Sequence, residues 1–187
     1  MIEKIINEIK IALDNDLYIL ALSSALTLPD ICGKAEFPHV ANTGDRYMDW
    51  LERFASDGQR RVDSKGIEID PLPYLSPGVI YSLRNELLHQ GTPNVLHYKC
   101  NKRTKKETPK YKKCGIDIFK LVKTNKDEKL YTDKAILKTT NSGVTKIYYA
   151  NIRWLCDYLT SHALKYYVAN KEKFNFINYH IIDKINE

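Results

Sequence analysis

The chain has no CxxC pair among its four cysteines, no Walker loop, no dinucleotide-binding glycine fingerprint, no HExxH and no EF-hand loop. Each absence removes a class. Structural zinc sites normally carry closely paired ligands. Cys100 and Cys114 bracket one segment, and His97 precedes Cys100 by three, but no fourth ligand lies nearby. Cys32, Cys100, Cys114 and Cys156 therefore read as free thiols of a reducing compartment, with no metal and no cofactor expected. Long apolar runs are missing too. The longest nearly uncharged stretch, Leu17 to Pro29, is too short to cross a bilayer. No secretion signal opens the chain, since residues Met1 to Leu13 interleave Glu3, Lys4, Glu8 and Lys10 with Ile2, Ile5, Ile6, Ile9 and Leu13 on one helical face. No internal repeat and no low-complexity linker appears. The reading is one soluble cytoplasmic domain over residues 1–187, without a membrane partner.

What is present is uneven charge. The net charge is +6, yet Lys99 to Lys113 alone carries +7, with Glu107 as its one acid. Basicity confined to one segment favours a local anionic partner over general attraction to nucleic acid. Lys99, Lys102, Arg103, Lys105, Lys106, Lys110, Lys112 and Lys113 are candidate RNA contacts, with Tyr98 and Tyr111 as stacking partners. The alternative is a solvated lysine loop, and a single arginine weakens specific phosphate recognition.

The first ninety residues read as helices. An amphipathic start is followed by a helix from near Leu17, apolar nearly all round and so central and buried, which Pro29 ends or kinks. A helix after Thr43 turns Tyr47, Trp50, Leu51 and Phe54 inward and Arg46, Asp49, Glu52 and Arg53 outward. Ser56 to Pro73 reads as a polar connection. Ser76 as N-cap, Pro77 at the first helical position and Gly91 before Pro93 then frame a helix with Ile80, Leu83 and Leu87 on one face. Beyond it, Val95 to Lys99, Ile116 to Val122, Ala135 to Lys138 and Lys146 to Ala150 are short β-rich runs, predicting a small antiparallel element inserted over about 94–150. A helix from near Asn151, and a short one around Phe176 to Ile185, complete the chain. The expected fold is mainly α, an antiparallel helical bundle carrying that insertion. Trp50, Trp154, Tyr166 and Tyr167 are expected in the core or at a dimer interface.

One segment carries chemistry. Arg84-Asn85-Glu86-Leu87-Leu88-His89 places a permanent cation with a planar fork of donors five residues before a group that exchanges protons near neutral pH. Such a pair can hold and cleave an RNA backbone without a metal. Asn85 and His89 share one side of the helix, with Arg84 beside them. The helix C-terminus favours a charged imidazole while Arg84 opposes it. The structural alternative pairs Arg84 with a carboxylate such as Glu86 or Glu52 and leaves His89 to cap carbonyls at its helix end. A weaker grouping, Asp30 and Glu36 with His39, has a plainer explanation in the Pro29-Asp30 turn.

RNELLH fits the arginine, polar residue, three residues, histidine pattern of the HEPN superfamily, which the chain resembles: helical-bundle proteins, many of them bacterial ribonucleases of toxin and phage-defence systems. ALTLPDICGKAE, YMDWLERF and SPGVIYSLRNELLHQG also look like small uncharacterised bacterial proteins of that superfamily, a similarity covering about residues 17 to 91. The resemblance implies a two-fold homodimer whose motif helices meet in one cleft. It implies Arg84 gripping the scissile phosphate, Asn85 orienting it or the histidine, and His89 as general acid or base while the 2′-hydroxyl of RNA attacks. An antitoxin or other protein partner is also implied. The alternative is a catalytically silent HEPN-like module binding RNA, a nucleotide or a protein, or a purely structural dimer. The β-rich insertion departs from a bare bundle.

Overall fold

A computed structural model describes residues 1–55, 61–62, 68–69, 76–95, 97–99, 111–113, 118–123, 134–140 and 143–177. Helices dominate them: α1 (Ile2–Asp14), α2 (Tyr18–Ala25), α3 (Leu28–Glu36), α4 (Thr43–Phe54), α5 (Pro77–Gln90) and α6 (Ile152–Ala169), followed by a 3-10 turn at Lys171–Phe174. Around them lie β1 (Arg61–Val62), β2 (Glu68–Ile69), β3 (His97–Lys99), β4 (Tyr111–Lys113), β5 (Ile118–Val122), β6 (Lys134–Thr140) and β7 (Gly143–Asn151).

The helix boundaries follow local chemistry. Asn42 and Asn151 lie extended and accept from the backbone N–H of Asp45 (3.0 Å) and Trp154 (3.2 Å), satisfying donors that the first turns of α4 and α6 cannot. Ser76 does the same for Val79 in α5, with Pro77 at the first position. Gly91 closes α5 at φ +66°, a left-handed conformation that glycine adopts without penalty.

The helix expected from near Leu17, ended or kinked at Pro29, is α2, and it stops before that proline. The chain breaks at Leu26 and Thr27, and Pro29 sits in the first turn of α3, where its missing N–H is no loss. Nor is α2 buried all round. Tyr18, Ala21, Leu22 and Ala25 face the core, but Leu17, Ile19 and Leu20 are 51%, 56% and 58% exposed.

The core runs through all six helices. α1 packs on α2 and α6, α3 on α4 and α6, and α4 on α5. Ile2, Ile6, Ile9 and Leu13 seal one side; Trp50 and Tyr47, fully buried, fill the centre. Trp50 meets Tyr166 edge-on at 5.8 Å, and Phe54 lies 4.7 Å from the same ring. Trp154 and Tyr167 are half-buried at the margin. Cys32 and Cys156 are buried free thiols, pushed up by burial, Cys156 to about 12; Cys100 and Cys114 lie outside the described residues. Among the described residues no helix is long and apolar enough to cross a membrane.

Gly33 sets the approach of α3 to α4. A Cβ there would stand 2.8 Å from the carbonyl oxygen of Arg46, a backbone atom that cannot swing aside. Gly33→Ala is therefore expected to destabilise the fold by ~1–3 kcal/mol, the usual cost of overpacking. A thermal melt should register this as a loss of roughly 3–10 °C for a chain of this size.

Glu36, at the end of α3, ties three further elements together. Its carboxylate accepts from the Tyr166 hydroxyl (2.8 Å), Lys173 Nζ (2.6 Å) and Arg53 Nη1 (3.2 Å). Burial pushes this carboxyl up, but the hydrogen bonds from Lys173 and Tyr166, with the charges of Lys173 and Arg53, more than reverse it, so Glu36 sits below the usual carboxylate range.

The inserted β element differs from the expected antiparallel one. β3 pairs with β4, and β6 with β7, antiparallel, but β5 pairs with β7 in parallel, giving the order β5-β7-β6. The reason is topological. β6 ends at Thr140 and β7 begins at Gly143, so the reversal leaves one edge of β7 open. β5 takes that edge, and β6 with its flanks provides the long connection that a parallel pair requires. β1 and β2 also pair antiparallel inside the segment expected to be a plain connection. β7 runs directly into α6, with Asn151 serving both as last strand residue and as helix cap. The expected C-terminal helix falls mostly outside the described residues; Phe176 and Ile177 are not helical.

Candidate functional site

The last two turns of α5 and the first turn of α3 meet at one guanidinium. Arg84 donates from Nε to Asp30 Oδ2 at 3.0 Å, and its Nη2 lies 3.0 Å from the same oxygen. Nη1 donates to Asn85 Oδ1 at 3.0 Å and contacts His89 Nε2 at 3.1 Å. Arg84, Asn85 and His89 thus converge as expected, with Asn85 and His89 one turn apart and Arg84 bridging them. Arg84 does pair with a carboxylate, as the structural alternative has it, but the partner is Asp30, 54 residues away, and not Glu86 or Glu52.

The contact at His89 has one direction as a hydrogen bond: arginine offers donors and no acceptor, so Arg84 Nη1 donates and Nε2 accepts. His89 is exposed at the end of the helix, while Arg84 and Asn85 are half-buried. His89 bonds to Arg84 rather than capping its own helix end.

Asp30 is held through one oxygen, Oδ2. Its Oδ1 is buried and finds no hydrogen-bond partner among the described residues. Burial pushes the Asp30 carboxyl up; the charge and hydrogen bond of Arg84, then the charge of Arg46, pull it down without cancelling the rise. Arg46 itself is committed to the Val40 carbonyl (3.0 Å) and Thr43 Oγ1 (3.3 Å). Below the pair, the Tyr47 hydroxyl donates to the Leu26 carbonyl at 3.1 Å, and its ring lies 5.1 Å from that of Tyr81. Burial first, then the Asp30 charge, raises Tyr47 well above an ordinary phenol, so it stays protonated. The site therefore rests on an apolar floor of α4 and α5 side chains.

The other candidate residues lie elsewhere. Asp30 and Glu36 share α3 but bind different partners, and His39 is exposed, so no carboxylate–histidine site forms there. Lys99 falls in β3, and Lys112 and Lys113 in β4. Lys102, Arg103, Lys105, Lys106 and Lys110 lie outside the described residues. Among the described residues no group of three His, Cys, Asp or Glu side chains could hold a metal ion. Asp30, grouped by sequence with Glu36 and His39, belongs instead beside Arg84, and that pairing is what reading the sequence missed. Nothing local marks it, because its partner is distant in the chain and Pro29 already explains an aspartate at a turn.

No family model matches the chain, and comparisons with curated proteins and with solved structures find no match to it.

Proposed function

We propose that this chain is a HEPN-like homodimer that cleaves RNA without a metal, in a toxin or phage-defence setting, using Arg84, Asn85 and His89. The observation that carries the reading is the meeting of Asn85 Oδ1 and His89 Nε2 on one nitrogen of Arg84 at 3.0 and 3.1 Å, with His89 exposed. A ring nitrogen placed to accept a proton is what a general base needs, and Nε2 is the nitrogen that faces Arg84. In the reaction, the 2′-oxygen of a ribose attacks the adjacent phosphorus and its proton passes to Nε2. The bond from phosphorus to the 5′-oxygen breaks, and that oxygen leaves with a proton from an imidazolium or water. A 2′,3′-cyclic phosphate and a 5′-hydroxyl remain. Arg84 stabilises the charge that gathers on the phosphate oxygens.

A second reading has its own support. Arg84 is ion-paired to Asp30, which satisfies part of the charge a phosphate would use. On that reading the chain is a catalytically silent HEPN-like module that binds RNA, a nucleotide or a protein. Incubating purified protein with a mixed pool of labelled RNA in EDTA separates the two. RNA fragments with cyclic phosphate ends, and intact DNA under the same conditions, are expected of the enzyme. Intact RNA would remove the catalytic reading.

A further inference from the structure

Resting on the reading of this site as a phosphodiester site, a further step follows from how Arg84 is held. A guanidinium is planar and has five N–H groups arranged along distinct edges. Asp30 Oδ2 takes the edge made by Nε and Nη2. Asn85 and His89 take the two hydrogens of Nη1. One Nη2 hydrogen remains. An anion cannot bind two-pronged to this arginine without displacing a resident partner, and the partners are not equally replaceable. Asp30 carries opposite charge and sits in the first turn of α3, with its second oxygen buried. Asn85 is half-buried and adjacent in the chain. His89 is exposed, accepts from a single nitrogen of Arg84, makes no ion pair among the described residues, and is the penultimate residue of α5. It is the partner that leaves.

We propose that Asp30 is a positioning residue that clamps Arg84 by its Nε edge, so that a phosphate docks across Nη1 and Nη2 and in docking releases His89 Nε2. At rest the lone pair of the base is occupied by Arg84. Phosphate binding withdraws the arginine donor and exposes the lone pair where a ribose hydroxyl can reach it. The base is thus unmasked by the group it must act beside. Without Asp30 the guanidinium is free to rotate, and its fork is presented in no fixed direction.

The test uses full-length ¹⁵N-labelled protein, inorganic phosphate as probe and the two-bond ring correlations of His89 as readout. At rest, Nε2 should show the shift of a hydrogen-bonded acceptor. Titrating phosphate should move Nε2 saturably away from that shift, and Arg84→Ala should show neither the resting signature nor the response. Asp30→Asn, nearly the same size, should weaken the phosphate response at least about tenfold, as expected when a hydrogen bond between charged groups is lost. Asp30→Glu, which keeps the charge one methylene further out, should recover part of it. Equal melting temperatures for the two Asp30 variants make that contrast independent of folding. A His89 signal indifferent to phosphate, or an Asp30→Asn protein responding like wild type, overturns the proposal. The nuclease reading fails separately. Wild type that cuts RNA while Asp30→Asn keeps the same kcat and KM removes the role of Asp30 alone. Wild type that cuts no RNA, yet shows the Asp30-dependent response, supports the clamp and removes the enzyme.

Discussion

His89→Ala should lower RNA cleavage by about 10²–10⁴-fold, the range that a positioned general acid or base contributes, while leaving the melting temperature within ~1 °C. The separation of the two effects is what gives this variant its value. The imidazole is exposed, and among the described residues its polar contact is the hydrogen bond from the Arg84 guanidinium. Its removal strands no buried group, and exposed substitutions of that kind stay within ~0.5 kcal/mol. Arg84→Ala behaves differently. Activity should fall to background, but Asp30 then loses the partner that offsets its burial. Breaking a buried ion pair costs ~3–5 kcal/mol; with both side chains about a fifth exposed, about 1–3 kcal/mol is expected. A lower melting temperature for Arg84→Ala together with an unchanged one for His89→Ala is the expected pattern. Cleavage that survives in His89→Ala at more than about a tenth of wild type would show that another group moves the proton.

How much of this was legible depended on range along the chain. The frame of α5 could be read residue by residue, because Ser76, Pro77 and Gly91 act on their own backbone neighbours. The start of α6 at Asn151 and the inward set Tyr47, Trp50 and Leu51 were legible for the same reason: helical periodicity is local. Long-range pairings were not legible. The parallel placement of β5 beside β7 depends on which edge of the β6–β7 hairpin is left open, and an alternating run carries no information on its partner's direction. α2 misled because hydropathy reports how apolar a face is and not whether anything covers it. Leu17, Ile19 and Leu20 look like core residues and lie at the surface. At the site, Arg84, Asn85 and His89 could be grouped because they share a helix. Asp30 could not, since nothing around it differs from an aspartate that merely follows Pro29 in a helix's first turn.

Replacing Glu36 should cost stability well beyond that of an ordinary surface charge, and the loss should depend on pH with a definite sign. Three elements converge on this carboxylate: α4 through Arg53, α6 through Tyr166, and the turn after α6 through Lys173. Glu36 is only 12% exposed, so it is not an ordinary surface ion-pair partner, although Arg53, at 62% exposure, adds little. Hydrogen bonds to charged groups contribute ~1.5–3 kcal/mol each when well placed, and Lys173 is partly exposed. A total loss of about 2–4 kcal/mol for Glu36→Gln is the reasonable sum, since glutamine can still accept from Tyr166 but offers nothing to two cations. In a urea titration at pH 7 the midpoint should fall with little change in slope. The folded state holds the Glu36 carboxyl below its unfolded value, so the unfolded chain binds the proton more tightly. The stabilisation is therefore complete above the unfolded value, about 4.3, and is lost as the pH falls through the lower folded one. Wild type and Glu36→Gln should differ most from neutral pH down to about 5 and converge in stronger acid. A gap that persists unchanged below that range would assign the effect to the hydrogen bonding of the amide and not to charge. A gap that widens in acid would reverse the sign derived for this carboxylate and with it the assignment of Lys173 and Tyr166 as its dominant partners.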